Sequence, residues 1–336
     1  MLGIDVGGTK VLGVVVSPEG EVLFEERRDS AGDSSKLVDD LAEVTTALLA
    51  AGDLHPAHGS ERLTIGIGLP GLVDRKGVLR FSPNLPGASG TALRERLGER
   101  LGGGVTVQVD NDATCAAAGE CAFGAGRGRR DVLFVTLGTG IGGGLLSGGA
   151  IVHGSGNFAG EIGHMVVDPQ GPPCGCGRRG CWERFASGSG LGRIARDAAL
   201  AGRAGRIIDL AGGDADSVRG EHVVEAAAAG DEAALAMLAE FGWWLALGLA
   251  NLANVLDPEM IVLGGGLVRA GDLLFGPARR AFREQLEGSE VRPAIELEAA
   301  ALGDRGGAIG AAVIGRVGPG GTITPATGDG PPTRIG

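Results

Sequence analysis

Leu2-Gly-Ile-Asp-Val-Gly-Gly-Thr-Lys-Val-Leu-Gly-Val-Val-Val16 is a short apolar strand, a glycine turn carrying a threonine, and an apolar return strand. Its β-branched content and its punctuation by glycine predict a hairpin. The same grammar begins again at Asp131-Val-Leu-Phe-Val-Thr-Leu137, which enters Gly138-Thr-Gly-Ile-Gly-Gly-Gly144 and starts back through Leu145-Leu146. We read these passages, near residues 2–16 and 131–152, as a structural duplication. It predicts two α/β lobes facing a cleft, not a tandem repeat in sequence.

Outward from the first hairpin, Glu21-Val-Leu-Phe-Glu25 reads as a third strand. Ser34 to Ala50 has helical spacing, with Leu37, Leu41, Val44 and Leu48 along one face. Leu63 to Leu69 is a strand, Ala92 to Leu101 a helix, and Val105 to Val109 a strand that delivers Asp110-Asn-Asp112 to an Ala-rich helix from Ala113. After the second hairpin, Ala-rich helices fill 188–256. Glu259 to Leu263 then enters a third glycine turn, Gly264-Gly-Gly-Leu267, and Ala308 to Gly315 is a short apolar helix. This order predicts a small N-terminal lobe over 1–120, completed by a C-terminal helix near 305–317, and a large lobe over 121–304. Residues 318–336 are Pro, Gly and Thr without periodicity, the composition of a disordered tail.

At 336 residues the chain can form two ordinary domains or one large bilobal enzyme. Apolar residues make up 43% but aromatics only 4%, so the core must be built from Ala, Val, Leu and Ile. Glycine, at 65 residues, far exceeds the usual share of roughly 7% and falls in short runs between apolar segments. That suggests backbone approaching ligands closely. The net charge of -11, with no long basic stripe, argues against nucleic acid as a partner; Gly126-Arg-Gly-Arg-Arg130 reads as solvated loop. The apolar stretch Trp243–Leu256 contains two asparagines and is too short to span a membrane comfortably. No signal peptide opens the chain and five cysteines give no disulfide framework, so a cytoplasmic enzyme is expected.

Cys174-Gly-Cys176-Gly-Arg-Arg-Gly-Cys181-Trp-Glu183, with Glu161-Ile-Gly-His164 upstream, supplies the Cys₃His ligand set of a closed zinc site. The intervening glycines let the backbone turn tightly enough to aim neighbouring thiols at one centre. CxC spacing is not that of a CxxC redox pair. A metal held by His164, Cys174, Cys176 and Cys181 would fix a loop that also presents Glu161 and Glu183. His164 can bind zinc through one ring nitrogen and donate from the other.

Asp5-Val-Gly-Gly-Thr-Lys10 is neither a Walker loop nor a dinucleotide fingerprint, because it sits in a hairpin. Gly7 and Gly8 can turn backbone N–H groups toward oxygens, Thr9 adds a hydroxyl, and Asp5 can face a hydrated Mg²⁺. Lys10 either contributes charge or simply lies on the return strand. Gly138-Thr139-Gly140 is a matching cradle, and Gly264, Gly265, Gly266 and Leu267 can bring backbone against a base or ribose. Together the three turns suit an extended nucleotide triphosphate. Asp112, just past a strand end, is the candidate base for a hydroxyl attacking phosphorus; alternatively Asp110-Asn-Asp112 caps the following helix, with Asp110 as the cap. Asn84, Asn111, Glu161, His164 and Glu183, with Gly68 giving backbone access, form a polar array suited to a polyol.

On the DxGGTK loop, the Asn-Asp pair at 111–112 and the CGCGRRGCWE knot, the sequence from Leu2 to about Arg316 resembles the ROK family of sugar kinases and repressors. It is most similar to the bacterial, actinobacterial-type, ATP-dependent glucokinases. The resemblance implies a two-lobed actin-like ATPase (ribonuclease H-like) fold with the active site in the interlobe cleft. It implies a kinase giving glucose 6-phosphate, with Asp112 as catalytic base and Gly68, Asn84, Asn111, Asp112, Glu161, His164 and Glu183 as sugar contacts. It also implies phosphate loops at Asp5–Lys10 and Leu137–Gly144, an adenosine-side turn at Gly264–Leu267, Mg²⁺ bound with ATP, structural Zn²⁺ and a homodimer or homotetramer. Kinases for fructose, N-acetylglucosamine or N-acetylmannosamine, a polyphosphate-driven glucokinase, and a non-catalytic sugar sensor are the competing expectations. The family's repressors carry an N-terminal winged helix, whereas here Met1 leads straight into the kinase strand.

Overall fold

The computed structural model describes residues 1–8, 10–29, 36–54, 63–102, 104–318 and 320–323. The chain folds as two compact units: Met1–Phe134 with Gly144–Gly160 and Ala300–Gly336, and Val135–Gly143 with Glu161–Ala299.

In chain order the elements are β1 Leu2–Val6, β2 Lys10–Val16, β3 Val22–Asp29, α1 Leu37–Ala51, β4 Leu63–Leu69, β5 Leu72–Val73, β6 Leu79–Phe81, α2 Leu93–Leu101, β7 Val105–Asn111 and α3 Asp112–Phe123. There follow β8 Val132–Leu137, β9 Ile141–Ser147, β10 Ala150–Ile151, α4 Glu183–Ala186, α5 Gly188–Leu200, α6 Gly205–Leu210, α7 Gly220–Ala228 and α8 Glu232–Leu256. The last are β11 Met260–Gly264, α9 Asp272–Gln285, β12 Glu296–Ala299 and α10 Gly306–Val317. One sheet has the order β3-β2-β1-β4-β7 and another β10-β9-β8-β11-β12. Each is therefore a three-strand meander extended by two later strands in the same order, which is the duplication that the two glycine hairpins predict.

The first sheet has two unlike faces. Leu2, Ile4 and Val6 of β1, Ile65, Ile67 and Leu69 of β4, and Val105, Val107 and Val109 of β7 belong to one apolar cluster with Leu41, Val44 and Leu48 of α1 and Leu93 and Leu97 of α2. Strand alternation turns Gly3, Gly66 and Gly68 to the opposite face. There α10 lies with its backbone almost on the strands. A Cβ on Gly3 would collide with the Ala308 carbonyl and the Ala312 nitrogen, and one on Gly66 with the Ala311 carbonyl. Gly310 meets the Cys115 carbonyl of α3 in the same way, and a Cβ on Gly119 would lie 2.7 Å from the Gly306 carbonyl oxygen. Glu120, buried near the end of α3, ties this arrangement: its carboxylate accepts from the N–H groups of Ala125 (2.8 Å), Ala301 (3.0 Å) and Leu302 (2.9 Å). Residues 320–323, read from sequence as part of a tail, instead join the first unit. Thr322 bridges Ala150, and the Ile323 N–H donates to the Gly149 carbonyl at 2.9 Å. The rest of the expected tail, residue 319 and residues 324–336, lies outside the described residues.

In the second unit α8 spans 25 residues, longer than the apolar stretch that sequence singled out, because Asp231 caps it from Ala234 at 2.8 Å. It is the one helix among the described residues long and apolar enough to cross a membrane by length and composition. Here Leu238, Phe241, Leu245, Leu249 and Leu252 are buried, and Gly248 lets the Trp182 indole lie against the helix where a Cβ would collide with it.

Overpacking of this kind costs about 1–3 kcal/mol, more where backbone must move. Gly66→Ala is therefore expected to lower the free energy of unfolding by roughly 3 kcal/mol or to abolish folding. Gly98→Ala, in the middle of α2 with open space at the Cβ, should instead stabilise by about 0.5–1 kcal/mol. Urea titrations of the two variants check both signs.

Candidate active site

Register assembles the first half of the site. Asp5 of β1 pairs with Gly68 of β4, and Gly68 with Asp110 of β7, so three strand ends are level. A Cβ on Gly68 would sit 3.3 Å from Asp5 Oδ1, and one on Gly307 of α10 would lie 2.6 Å from the Asp5 carboxyl carbon. Glycine at 307 leaves that carboxylate its room, and Gly68 keeps a tight contact off it. Asp5 Oδ1 is sealed from solvent without a hydrogen-bond partner. Burial, and then the Asp112 carboxylate, push Asp5 up to about 7. Burial, and then the carboxylates of Asp110, Asp5 and Asp112, hold the Cys115 thiol far above its ordinary range. A buried orphan oxygen on a carboxylate facing a second carboxylate is a donor set that fits a hard cation such as Mg²⁺.

The turn from β7 into α3 corrects one sequence reading. Asn111, not Asp110, is the cap: its Oδ1 accepts from the Thr114 N–H at 3.0 Å, and its Nδ2 donates to the Gly71 carbonyl at 3.2 Å. Asp112 is the first residue of α3, where its Oδ1 accepts the Ala113 N–H at 2.8 Å. Asp110 turns to the glycine face and meets His153 Nε2 at 2.7 Å. In the first loop the Gly7 N–H closes the turn on the Lys10 carbonyl at 2.7 Å, so it is spent within the hairpin. Gly8 is exposed, with the exposed Asn84 as its nearest neighbour. Lys10 is exposed at the start of β2, opposite Asp29. Thr9 lies outside the described residues.

The second unit gathers the remaining candidates. Gly138-Thr139-Gly140 ends β8, and the Gly138 carbonyl accepts from the Gly188 N–H at 2.8 Å. That places the N-terminus of α5, capped by Ser187 from Gly190 at 3.1 Å, on the turn. Sequence reasoning starts its helices at 188, as observed, but does not join that start to the turn; Ser187-Gly188-Ser189, a cap before an apolar-periodic run, is the local signal. Gly265, at φ +86°, brings the third turn against β8: a Cβ there would be 2.5 Å from the Leu137 carbonyl oxygen. Gly264 ends β11, while Gly266 and Leu267 begin the following short helix, Gly266 facing open space. The first N–H groups of α5 are already bonded, those of Gly188 and Ser189 to the Gly138 and Thr139 carbonyls, that of Gly190 to Ser187 Oγ and that of Leu191 to the Ser187 carbonyl, so the helix start braces the turn.

The cysteine knot lies in the same unit. His164 Nδ1 and the three thiol sulfurs all fall within 4.8 Å of one another. Cys174 Sγ is 3.7 Å from His164 Nδ1, and Cys176 and Cys181 are 3.5 Å apart. Tetrahedral zinc with Zn–S near 2.3 Å has edges of about 3.8 Å, so the donor set fits the ion. Burial alone would raise Cys176, but hydrogen bonding from Arg178 and the two neighbouring thiols draws it down to about 6. Gly177 and Gly180, at φ +86° and +69°, make the turns, and Gly180 packs onto the Asp168 carbonyl. His164 Nε2 faces Glu161 at 3.9 Å, whereas Nδ1 faces the thiols and Glu183 at 3.6 Å. The two ring nitrogens thus face different groups, Nδ1 the thiols and Nε2 Glu161. Partial burial raises Glu161, against His164, with Glu183 adding to the rise. Glu183 opens α4 beside Gly140, whose Cβ would be 2.7 Å from its Oε2. Trp182, fully buried and donating to the Trp244 carbonyl at 2.9 Å, anchors the knot to α8.

These observations meet the comparisons with known proteins. The model of the ROK family matches residues 1–316. A glucokinase of Streptomyces coelicolor is 37% identical over 94% of this chain and 97% of its own length. One from Thermotoga maritima is 36% identical over 94% and 96%. A solved ROK family glucokinase from Streptomyces griseus, in complex with glucose and AMPPNP, has a TM-score of 0.80 and 38% identity, covering 95% of this chain and 99% of that one.

Each unit offers its own test. Because the raised pKa of Asp5 makes its ionised form unfavourable in the fold, stability is lost as pH rises from 3.8 through about 7. Without nucleotide or divalent cation, Asp5→Asn should be more stable than the parent at pH 8, by about 4 kcal/mol at most, with the advantage shrinking toward pH 4. Parallel curves across that range would remove the strain from Asp5. Cys176→Ser should lower zinc content, measured by elemental analysis, together with thermal stability, because metal binding and local folding are coupled.

Proposed function

The chain belongs to the ROK family, and we propose that it is an ATP-dependent glucokinase, transferring the γ-phosphoryl group of ATP to the 6-hydroxyl of D-glucose. The observation that carries this reading is Asp112 at the first turn of α3, in a chain 38% identical to a glucokinase solved with glucose and an ATP analogue. In this reading Asp112 accepts the proton of the 6-hydroxyl as the new O–P bond forms and the bond to the ADP leaving oxygen breaks. The Ala113 N–H on Oδ1 orients the carboxylate for that task. Asn84, Asn111, Glu161, His164 and Glu183 are the proposed partners of the sugar hydroxyls, with Gly68 allowing close backbone approach.

Gly8, Thr9 and the turn Gly138–Gly140 are proposed to hold the phosphates, and Gly264–Leu267 the adenosine side. Mg²⁺, bound with ATP, would neutralise charge on the transferring group, and Asp5 is the residue proposed to face it. Zinc on His164, Cys174, Cys176 and Cys181 is proposed to be structural: four protein ligands fill a tetrahedral site and fix the ring that presents Nε2 toward Glu161. The family resemblance also supports a homodimer or homotetramer working in the cytoplasm.

The test compares kcat/KM on glucose, fructose, N-acetylglucosamine and N-acetylmannosamine, with ATP and with polyphosphate. Glucose with MgATP should be preferred; a higher value for an N-acetylated hexose would defeat the glucose assignment. Sugar binding without any turnover would make the protein a sensor. Asp112→Asn should lower kcat by about 10²–10⁴-fold with glucose affinity and circular dichroism retained.

A further inference from the structure

His153 is absorbed by none of these roles, yet it is well placed in the first unit. Its side chain is 15% exposed, and its Nε2 stands 2.7 Å from the Oδ2 of Asp110, itself 6% exposed. The other oxygen of that carboxylate, Oδ1, accepts the backbone N–H of Asn111 at 2.8 Å. Asn111 in turn caps α3 through Thr114 and reaches the Gly71 carbonyl. An unbroken chain of hydrogen bonds thus runs from the imidazole to the turn that carries Asn111 and Asp112.

The segment bearing His153 is itself clasped. Arg75 donates to the carbonyls of Gly154 (2.6 Å) and Ser155 (2.7 Å), and Asn157, held at φ +74°, donates to the Val73 carbonyl at 3.1 Å. His153 is therefore presented from a fixed loop, not swung from a mobile one. A carboxylate this buried is costly unless hydrogen-bonded on both oxygens, and the imidazole is the side-chain donor that meets Oδ2.

We propose that His153 is a positioning residue for phosphoryl transfer: by donating to Asp110 it holds the β7–α3 turn so that Asn111 and Asp112 meet the acceptor hydroxyl in register. The kinetic part of this proposal rests on the glucokinase reading; the structural part does not. A misplacement of about 1 Å at reacting groups can cost 10²-fold, so a second residue out from the chemistry has leverage.

The test uses the full-length protein. His153→Ala should lower kcat for glucose roughly 10- to 100-fold while leaving the KM for ATP unchanged. His153→Gln, which keeps an N–H donor, should stay within about fivefold of the parent. A cavity of about 390 Å³ borders His153 and Asp110, so added imidazole should enter His153→Ala and restore part of kcat. Asp110→Asn should resemble His153→Ala, and the double variant should be no worse than the poorer single one. Hydrogen exchange of residues 108–115 reads the turn without any substrate: it should quicken in His153→Ala and slow again with imidazole.

A kcat for His153→Ala within about threefold of the parent would overturn the proposal. So would a loss that neither glutamine nor imidazole repairs, or unaltered exchange at 108–115. If the parent itself does not phosphorylate glucose, the glucokinase reading fails, and the exchange comparison alone decides whether His153 holds the turn.

Discussion

The close approach of α10 and α3 to the first sheet is the constraint on which the rest of that unit depends. A strand such as Ile65-Gly-Ile-Gly-Leu69 buries large side chains on one face and offers bare backbone on the other. Helices that rest on bare backbone come closer than the 10 Å customary between packed layers. That closeness puts Gly307 against the Asp5 carboxylate and the first turn of α3 beside Gly68. The acidic end of the sheet is thus a product of packing: carboxylates are crowded together because the layers above them cannot stand off. The unfavourable charge is small beside the apolar burial on the opposite face, where each fully buried Leu, Ile or Val contributes roughly 1.5–3 kcal/mol.

The second unit solves a different problem. Its candidate sugar-binding groups stand on a loop with little regular structure, where conformational entropy would scatter them. Two anchors oppose that. The thiol–imidazole cluster gathers four ligand atoms around one point, and the Trp182 indole is sunk against Gly248 of α8. Glu183 follows directly in sequence, so its position beside Gly140 is inherited from both anchors.

Much of this was legible in the residues themselves. Glycine turns after apolar strands gave the duplicated sheets, and ligand spacing gave the thiol cluster, because both signals are local and chemically specific. Less legible was what long-range pairing decides. Asp110 and Asn111 are equally good caps by type, and strand alternation, which sends Asp110 to His153, settled the choice for Asn111. His153 carried no signal at all, being a lone histidine before Gly-Ser. The apolar stretch ending at Leu256 looked shorter than α8 because alanines, Glu232 and Glu240 on its N-terminal side dilute hydrophobicity without breaking the helix. Residues 320–323 failed for a similar reason: two backbone pairings with 149–150 need no periodic pattern.

The seam between α10 and the first sheet also has a consequence in time. Synthesis delivers β1 first and α10 some three hundred residues later, yet Gly3 and Gly66 lie bare until Ala308, Ala311 and Ala312 arrive to cover them. Contacts so distant along the chain close slowly, and they must wait for the ribosome. Nearly all of the second unit, residues 161–299, has emerged by then. The nascent first sheet must therefore persist half-clad, with Leu12, Val14 and Val16 of β2 left uncovered on that face until Ala308, Ile309 and Ala312 arrive.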